Sequence, residues 1–256
     1  MFSPEERSEL RDALIAAARA DQRIIAAALV GSAVRGAEDA WSDIDLMFRL
    51  ADGLSPENVA DEWAVRMRVD HGAVAQTDLW AGPVLYRVFL IGNSLQVDLS
   101  FWRSADFASS GPPIQLVFGE ANETEPAAPR DLDALVGTAW LYALHVRSSI
   151  ARRRYLQALY MLNTVRDQVV TLASVRHNLP AAHARGADDL PDATRIAISD
   201  SVVRELTEAE LRRAFEVLVE ALLIEATHVD AAQAGRLSEP LHELVRTARS
   251  PGGPGT

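Results

Sequence analysis

Two aspartates and a glycine-serine turn are the residues whose types and spacing could do chemistry. Asp43 and Asp45 flank Ile44 in the segment Asp43-Ile44-Asp45-Leu46-Met47-Phe48-Arg49-Leu50. Read as a strand, this segment puts both carboxylates on one face and Ile44, Leu46 and Phe48 on the other. Neighbouring carboxylates repel unless a cation lies between them, and Mg2+ combines one or two carboxylates with waters and substrate phosphates. Upstream, the apolar run 24–30 reads as a buried strand that stops at Gly31-Ser32. Gly31 lets the backbone approach a ligand. The spacing predicts a short helix from Ser32, whose free N–H groups and dipole would favour an anion. A phosphate cradle beside metal-binding carboxylates is equipment for nucleoside triphosphate chemistry.

The Gly31-Ser32 turn followed by Asp43-x-Asp45 resembles the signature of the polymerase-beta-like nucleotidyltransferase superfamily. That resemblance implies a third carboxylate on a neighbouring strand. The chain offers Asp98 in Leu95-Gln96-Val97-Asp98-Leu99-Ser100-Phe101, where Val97, Leu99 and Phe101 share one face and Asp98 lies on the other. The expected constellation is therefore Gly31 and Ser32 for the nucleotide, with Asp43, Asp45 and Asp98 as catalytic and metal-holding groups for two Mg2+ ions. ATP is the expected nucleotide substrate.

The chain has 256 residues and no Cys, so it has no disulfide framework, thiolate zinc site or cysteine nucleophile. All 25 basic residues are Arg. A Walker-type phosphate loop, which needs its lysine, is thereby excluded. Residues 1–125 hold 10 Arg against 20 acids, a net charge of −10; residues 126–256 hold 15 against 16. An overall charge of −11 is the reverse of a nucleic-acid footprint and fits a neutral or cationic acceptor better. The opening Met-Phe-Ser-Pro-Glu-Glu lacks a basic region before an apolar core, and no segment is apolar enough to span a bilayer, so a cytoplasmic protein is expected.

The elements that must position these residues can be read in order. Ser3-Pro4-Glu5-Glu6 forms a capping box that opens a helix to about Ala20. Ser55-Pro56-Glu57-Asn58 opens another that ends near Val69. Strands follow over 73–80, 84–91 and 95–102, the last two joined as a hairpin through Ile91-Gly92-Asn93-Ser94. Trp41 is expected in the core, and His71 as a solvated turn residue. The Pro-containing, acidic and aperiodic stretch 119–130 reads as a linker. Beyond it, helical periodicity predicts helices over 132–154, 156–175, 192–204, 208–227 and 238–248, with 250–256 as a disordered tail. The expected fold is α+β: a small mixed β-sheet nucleotidyltransferase core over 1–120, then an all-helical domain over 131–249.

A helical domain after such a core resembles the small-molecule nucleotidyltransferases that inactivate aminoglycosides and lincosamides. Arg185-Gly186 and Leu190-Pro191 carry a looser part of that resemblance. It implies transfer of AMP from ATP to a hydroxyl of a small, hydroxylated and cationic or neutral acceptor. Arg176 and Arg185, forks suited to phosphate, are the expected nucleotide-binding arginines of the second domain. The run 152–154 reads instead as cations at a helix end. Arg35 reads as a helix-surface residue or a partner of the acids, and Asp167 as a candidate base. Arg176-x6-His183 resembles the ribonuclease domains that accompany antitoxin-like nucleotidyltransferases, but Pro180 interrupts the helix that such a site would use. A protein-modifying or antitoxin-like transferase and an inactive nucleotide-binding module are the alternatives.

Overall fold

The computed structural model describes residues 1–108, 113–123 and 129–249; the expected tail 250–256 and part of the expected linker lie outside them. The chain is α+β and divides into two compact units, Met1–Ala128 and Pro129–Thr256.

In the first unit, α1 (Pro4–Ala20) starts at the expected capping box: Ser3 Oγ accepts from the Glu6 N–H, and the Glu6 carboxylate accepts from the Ser3 N–H. Strands β1 (Ile24–Leu29) and β2 (Ile44–Leu50) are followed by α2 (Pro56–His71), which Ser55 caps. Strands β3 (Ala73–Ala81), β4 (Val84–Ile91) and β5 (Gln96–Trp102) form a meander. The sixth strand, β6 (Gln115–Phe118), is absent from the sequence reading. It is four residues long, and its order comes from antiparallel pairing with β1, a long-range contact that local periodicity does not register.

The sheet order is β3-β4-β5-β2-β1-β6, with β2 and β5 parallel and every other neighbouring pair antiparallel. Helices α1 and α2 supply Leu14, Ala18, Val59, Trp63 and Met67 to a core shared with Ile44, Leu46, Phe48, Val97, Leu99 and Phe101. These sheet residues are the face opposite Asp45 and Asp98, as alternation requires. On the carboxylate side, Ala26, Ala28 and Met47 pack with Phe107.

Two expectations fail here. Trp41 is not core: it is 74 % exposed, on a loop rather than on either packed face. The helix expected from Ser32 is a set of turns over residues 31–36, in which the Ser32 carbonyl accepts from the Arg35 and Ala37 N–H groups. Gly36 takes a left-handed φ of 61° that ends the winding after one turn. The helix dipole proposed for phosphate therefore drops out, and Arg35 is an exposed turn residue.

Asp21 ties the first unit together. Its carboxylate accepts from Arg23 Nε at 2.9 Å, Arg23 Nη2 at 2.8 Å and Trp63 Nε1 at 3.1 Å, joining the end of α1 to α2. The Arg23 guanidinium, aided by the Arg23 and Trp63 N–H groups and opposed by burial, lowers its pKa from 3.8 to about 2. A depressed folded-state pKa gives stability that is present above the unfolded value and lost as pH falls through the folded one. Asp21→Asn should therefore destabilise the protein by about 1–2 kcal/mol at neutral pH, allowing for solvent screening. The gap from wild type should close between about pH 4 and pH 2, as measured by denaturant melts across that range.

The second unit consists of α3 (Leu132–Ala151), α4 (Tyr155–Arg176), α5 (Asp192–Asp200), α6 (Glu208–Val229) and α7 (Ala231–Thr247) around Val146, Leu162, Val165, Phe215, Leu218 and Leu222. Helix α5 stops short of the expected Arg204, where Arg213 donates to the Asp200 and Val202 carbonyls. Helix α7 starts seven residues before the expected Ser238, because Asp230 caps it by accepting from the Ala232 and Gln233 N–H groups. Pro240 and Gly235 both lie within this helix, whose Ala234 and Leu241 are buried.

Candidate active site

Parallel pairing of β2 with β5 sets Asp45 directly beside Asp98 in register. Both side chains leave the sheet on the face away from the α1/α2 core, because Ile44, Leu46, Val97 and Leu99 are buried on the other. Asp43 precedes the first residue of β2 and completes the group: one carboxylate oxygen from each of Asp43, Asp45 and Asp98 lies within 4.8 Å of the other two. All three residues are half-buried.

Gly31 explains why the turn must begin as it does. It sits at φ 71°, and a Cβ built on it would collide with Asp45 Oδ2. The turn is thus folded onto the carboxylate, and only a residue without a side chain fits. Ser32 is half-buried beside it, and among the described residues its hydroxyl has no hydrogen-bond partner.

The electrostatics fit a cation. Burial pushes the Asp98 carboxyl above its ordinary range, the Gln96 amide opposes this, and the Asp43 charge pushes it up further. Oxygen donors this close, one of them reluctant to ionise alone, are a hard-cation donor set: a divalent ion would offset both the burial and the Asp43 repulsion that raise Asp98.

Gln96 and Tyr86 were not singled out by the sequence. Gln96 Nε2 donates to Asp98 Oδ1 at 2.9 Å and reaches Asp43 Oδ2 at 3.5 Å, so its amide lies between two of the three carboxylates. Tyr86, on β4 opposite Ser100, has its phenol pushed up by burial and by the Asp45 charge. The alternation of Leu95 to Phe101 already placed Gln96 on the strand start, two residues before Asp98. Nothing local placed Tyr86, because its position depends on the β4–β5 register.

The arginines of the second unit stand apart from one another in their pairing. Arg176 forks onto Glu225, with Nε to Oε2 at 2.8 Å and Nη2 to Oε1 at 2.7 Å. Glu225 is only 3 % exposed. The partner is neither Asp188 nor Asp189, the acids nearest in sequence to Arg185. Arg185 is exposed, and no described residue pairs with its side chain. Arg166 donates to Ser201 and Asn163, and burial pushes its pKa down.

No protein-family model matches the chain, and no curated protein sequence matches it. Solved structures do match it in arrangement. An aminoglycoside 6-adenyltransferase from Bacillus subtilis aligns over 95 % of this chain and 99 % of its own at 13 % identity, with a TM-score of 0.37. A nucleotidyltransferase-like protein from Exiguobacterium sibiricum aligns over 86 % and 77 % at 12 % identity, with a TM-score of 0.37. The polymerase core of TRAMP, an RNA surveillance complex, aligns over 85 % and 59 % at 16 % identity, with a TM-score of 0.30. Likenesses this loose carry no functional weight, which leaves the carboxylate site as the ground for function.

Proposed function

We propose that this chain is a Mg2+-dependent nucleotidyltransferase that moves AMP from ATP to a hydroxyl of a small molecule and releases pyrophosphate. The observation that carries the reading is the convergence of Asp43, Asp45 and Asp98 within 4.8 Å, with Gly31 folded against Asp45. A Walker-type lysine is absent, so phosphate charge must be met by metal, backbone and Arg.

Asp43, Asp45 and Asp98 would hold the divalent ions, which when bound supply charge neutralisation on the triphosphate and on the leaving pyrophosphate. The chain's own contribution is position and proton. The Gly31-Ser32 turn is folded onto Asp45 at Gly31, and the hydroxyl of the half-buried Ser32 that follows would donate to a phosphate oxygen. In the transfer the acceptor oxygen forms a bond to the α phosphorus, the bond from that phosphorus to the bridging oxygen breaks, and pyrophosphate carries the electron pair away. The acceptor's proton would go to Asp98, the carboxylate that β5 presents in register beside Asp45. Arg176 and Arg185 belong to the same proposal as phosphate contacts. Arg185 has the free fork, whereas Arg176 keeps only its Nη1 edge beyond Glu225 and Thr194. Arg185→Ala should raise the KM for ATP about tenfold or more, the loss of one charge-assisted contact, and leave the acceptor KM unchanged in steady-state kinetics.

The acceptor class follows from charge. The unit bearing the carboxylates is strongly acidic, which disfavours the added phosphates of an oligonucleotide end and favours a polyol or amino sugar. The test is incubation with ATP, Mg2+ and a panel of aminoglycosides, lincosamides and RNA ends, read by mass spectrometry at low and high salt. One nucleotidyl group on an amine-bearing small molecule, added more slowly at high salt, is expected. Extension of RNA ends with no modified small molecule would overturn the acceptor class.

A further inference from the structure

Helix α1 carries a stripe at positions 7, 11, 14 and 18, a spacing that puts four residues on the face toward the sheet. Leu14 and Ala18 fill it as a core stripe should, both fully buried. Positions 7 and 11 are arginines, and Arg7 is only 4 % exposed. A cation removed from water at a core position requires partners that compensate its lost hydration.

All of its partners come from one loop. Arg7 Nη1 donates to the carbonyl of Asp39 and, at 3.2 Å, to that of Ser42. Its Nε lies 3.4 Å from Glu38 Oε1, an ion contact without hydrogen-bond alignment. Arg11 reaches the same Glu38 oxygen at 2.7 Å. The loop is braced internally as well: Ser42 Oγ accepts from the Asp39 N–H at 2.9 Å, and Asp39 Oδ1 accepts from the Trp41 N–H at 2.8 Å.

The Ser42 carbonyl belongs to the peptide group whose nitrogen is that of Asp43. Ladder pairing fixes Asp45 and Asp98 through their strands, but the recorded β2–β5 register begins at Ile44, one residue too late for Asp43. We infer that Arg7 is the positioning residue for Asp43: its guanidinium holds the Ser42–Asp43 peptide plane and thereby aims the Asp43 carboxylate at the other two. This rests on the proposed metal-dependent transfer. It assigns to α1 a role beyond packing and explains why a buried arginine occupies its core stripe.

The experiment titrates Mn2+ into the full chain by calorimetry, alongside thermal melts and far-UV circular dichroism, for wild type, Arg7→Met, Arg7→Lys and Arg11→Met. A residue that orients a metal ligand from behind alters metal affinity by about 10–100-fold when replaced. Arg7→Met should therefore weaken Mn2+ by at least about tenfold while its circular dichroism stays native. Arg11→Met removes the Glu38 pair and a bond to Ser8 Oγ, neither of which touches the Ser42 carbonyl, and should bind as wild type does. Arg7→Lys, whose ammonium can still reach a carbonyl, should fall between, and it decides the matter should Arg7→Met not fold. A wild-type Mn2+ affinity in Arg7→Lys and Arg7→Met, or an equal loss in Arg11→Met, would overturn the inference and leave the metal centre standing. Failure of the wild-type chain to bind Mn2+ would instead overturn the metal centre, and the inference with it.

Discussion

Replacing Asp43 or Asp45 with Asn should lower ATP-dependent pyrophosphate release by about a thousandfold, with melting temperature unchanged or raised. The size follows from what a carboxylate-held metal supplies to phosphoryl chemistry, roughly 4 kcal/mol of barrier lowering. The sparing of the fold follows from where the side chains point. Ile44, Leu46 and Phe48 carry the core face of β2 and are at most 2 % exposed, whereas Asp43 and Asp45 are half-buried on the other face. Burial and the Asp43 charge push Asp98 toward protonation, so removing the Asp43 charge relieves repulsion in the metal-free protein. Pyrophosphate detection and a thermal melt on the same preparations check both halves. Turnover within about tenfold of wild type in either variant would remove that carboxylate from the chemistry.

Gly31→Ala is the second large effect, and it comes with an internal control. Both Gly31 and Gly36 have left-handed backbone, at φ 71° and 61°, so an alanine at either costs about 1–2 kcal/mol of backbone strain. Only Gly31 has a neighbour in the way: its Cβ would meet Asp45 Oδ2, while nothing lies within 4 Å of a Cβ at Gly36. The ladder holds the Asp45 backbone, so its carboxylate must rotate away from Asp43 and Asp98. Gly31→Ala should therefore reduce kcat by about a hundredfold, the range seen when a reacting group is displaced by an ångström, and Gly36→Ala should keep nearly full activity with a similar loss of stability. Equal activity in the two variants would mean that Asp45 does not depend on the turn.

How much of this was legible beforehand depends on the range of the interactions involved. The α1 start at Ser3, the α2 start at Ser55 and the β4–β5 hairpin are written in residues at most a few positions apart, and each appears where periodicity and caps place it. Asp43 and Asp45 were legible from their spacing in an alternating segment, and Asp98 because the family resemblance implies a third carboxylate, with alternation fixing its face. Their convergence depends on parallel β2–β5 pairing, which no local pattern encodes. Strand β6, the exposure of Trp41 and the origin of α7 at Asp230 all turn on tertiary partners. The helix expected from Ser32 was a misreading of a turn, since one turn of winding closed by Gly36 has the same first residues as a helix. Gln96 and Arg7 also escaped. Gln96 shares the polar face of its strand with Asp98, and only the folded contact shows its amide between two carboxylates; Arg7 is a cation on a buried stripe whose partners lie more than thirty residues away.

The central claim is that Asp43, Asp45 and Asp98 form one divalent-metal site. The most direct measurement is a Mn2+ titration followed by the loss of the free-ion electron paramagnetic resonance signal, on wild type and on Asp45→Asn, without nucleotide and then with a non-hydrolysable ATP analogue. The account predicts that wild type takes up Mn2+, that the analogue tightens the binding by adding phosphate ligands, and that Asp45→Asn abolishes both effects. A wild-type chain that leaves all Mn2+ free in the presence of the analogue, or an Asp45→Asn variant that binds as tightly as wild type, would contradict it.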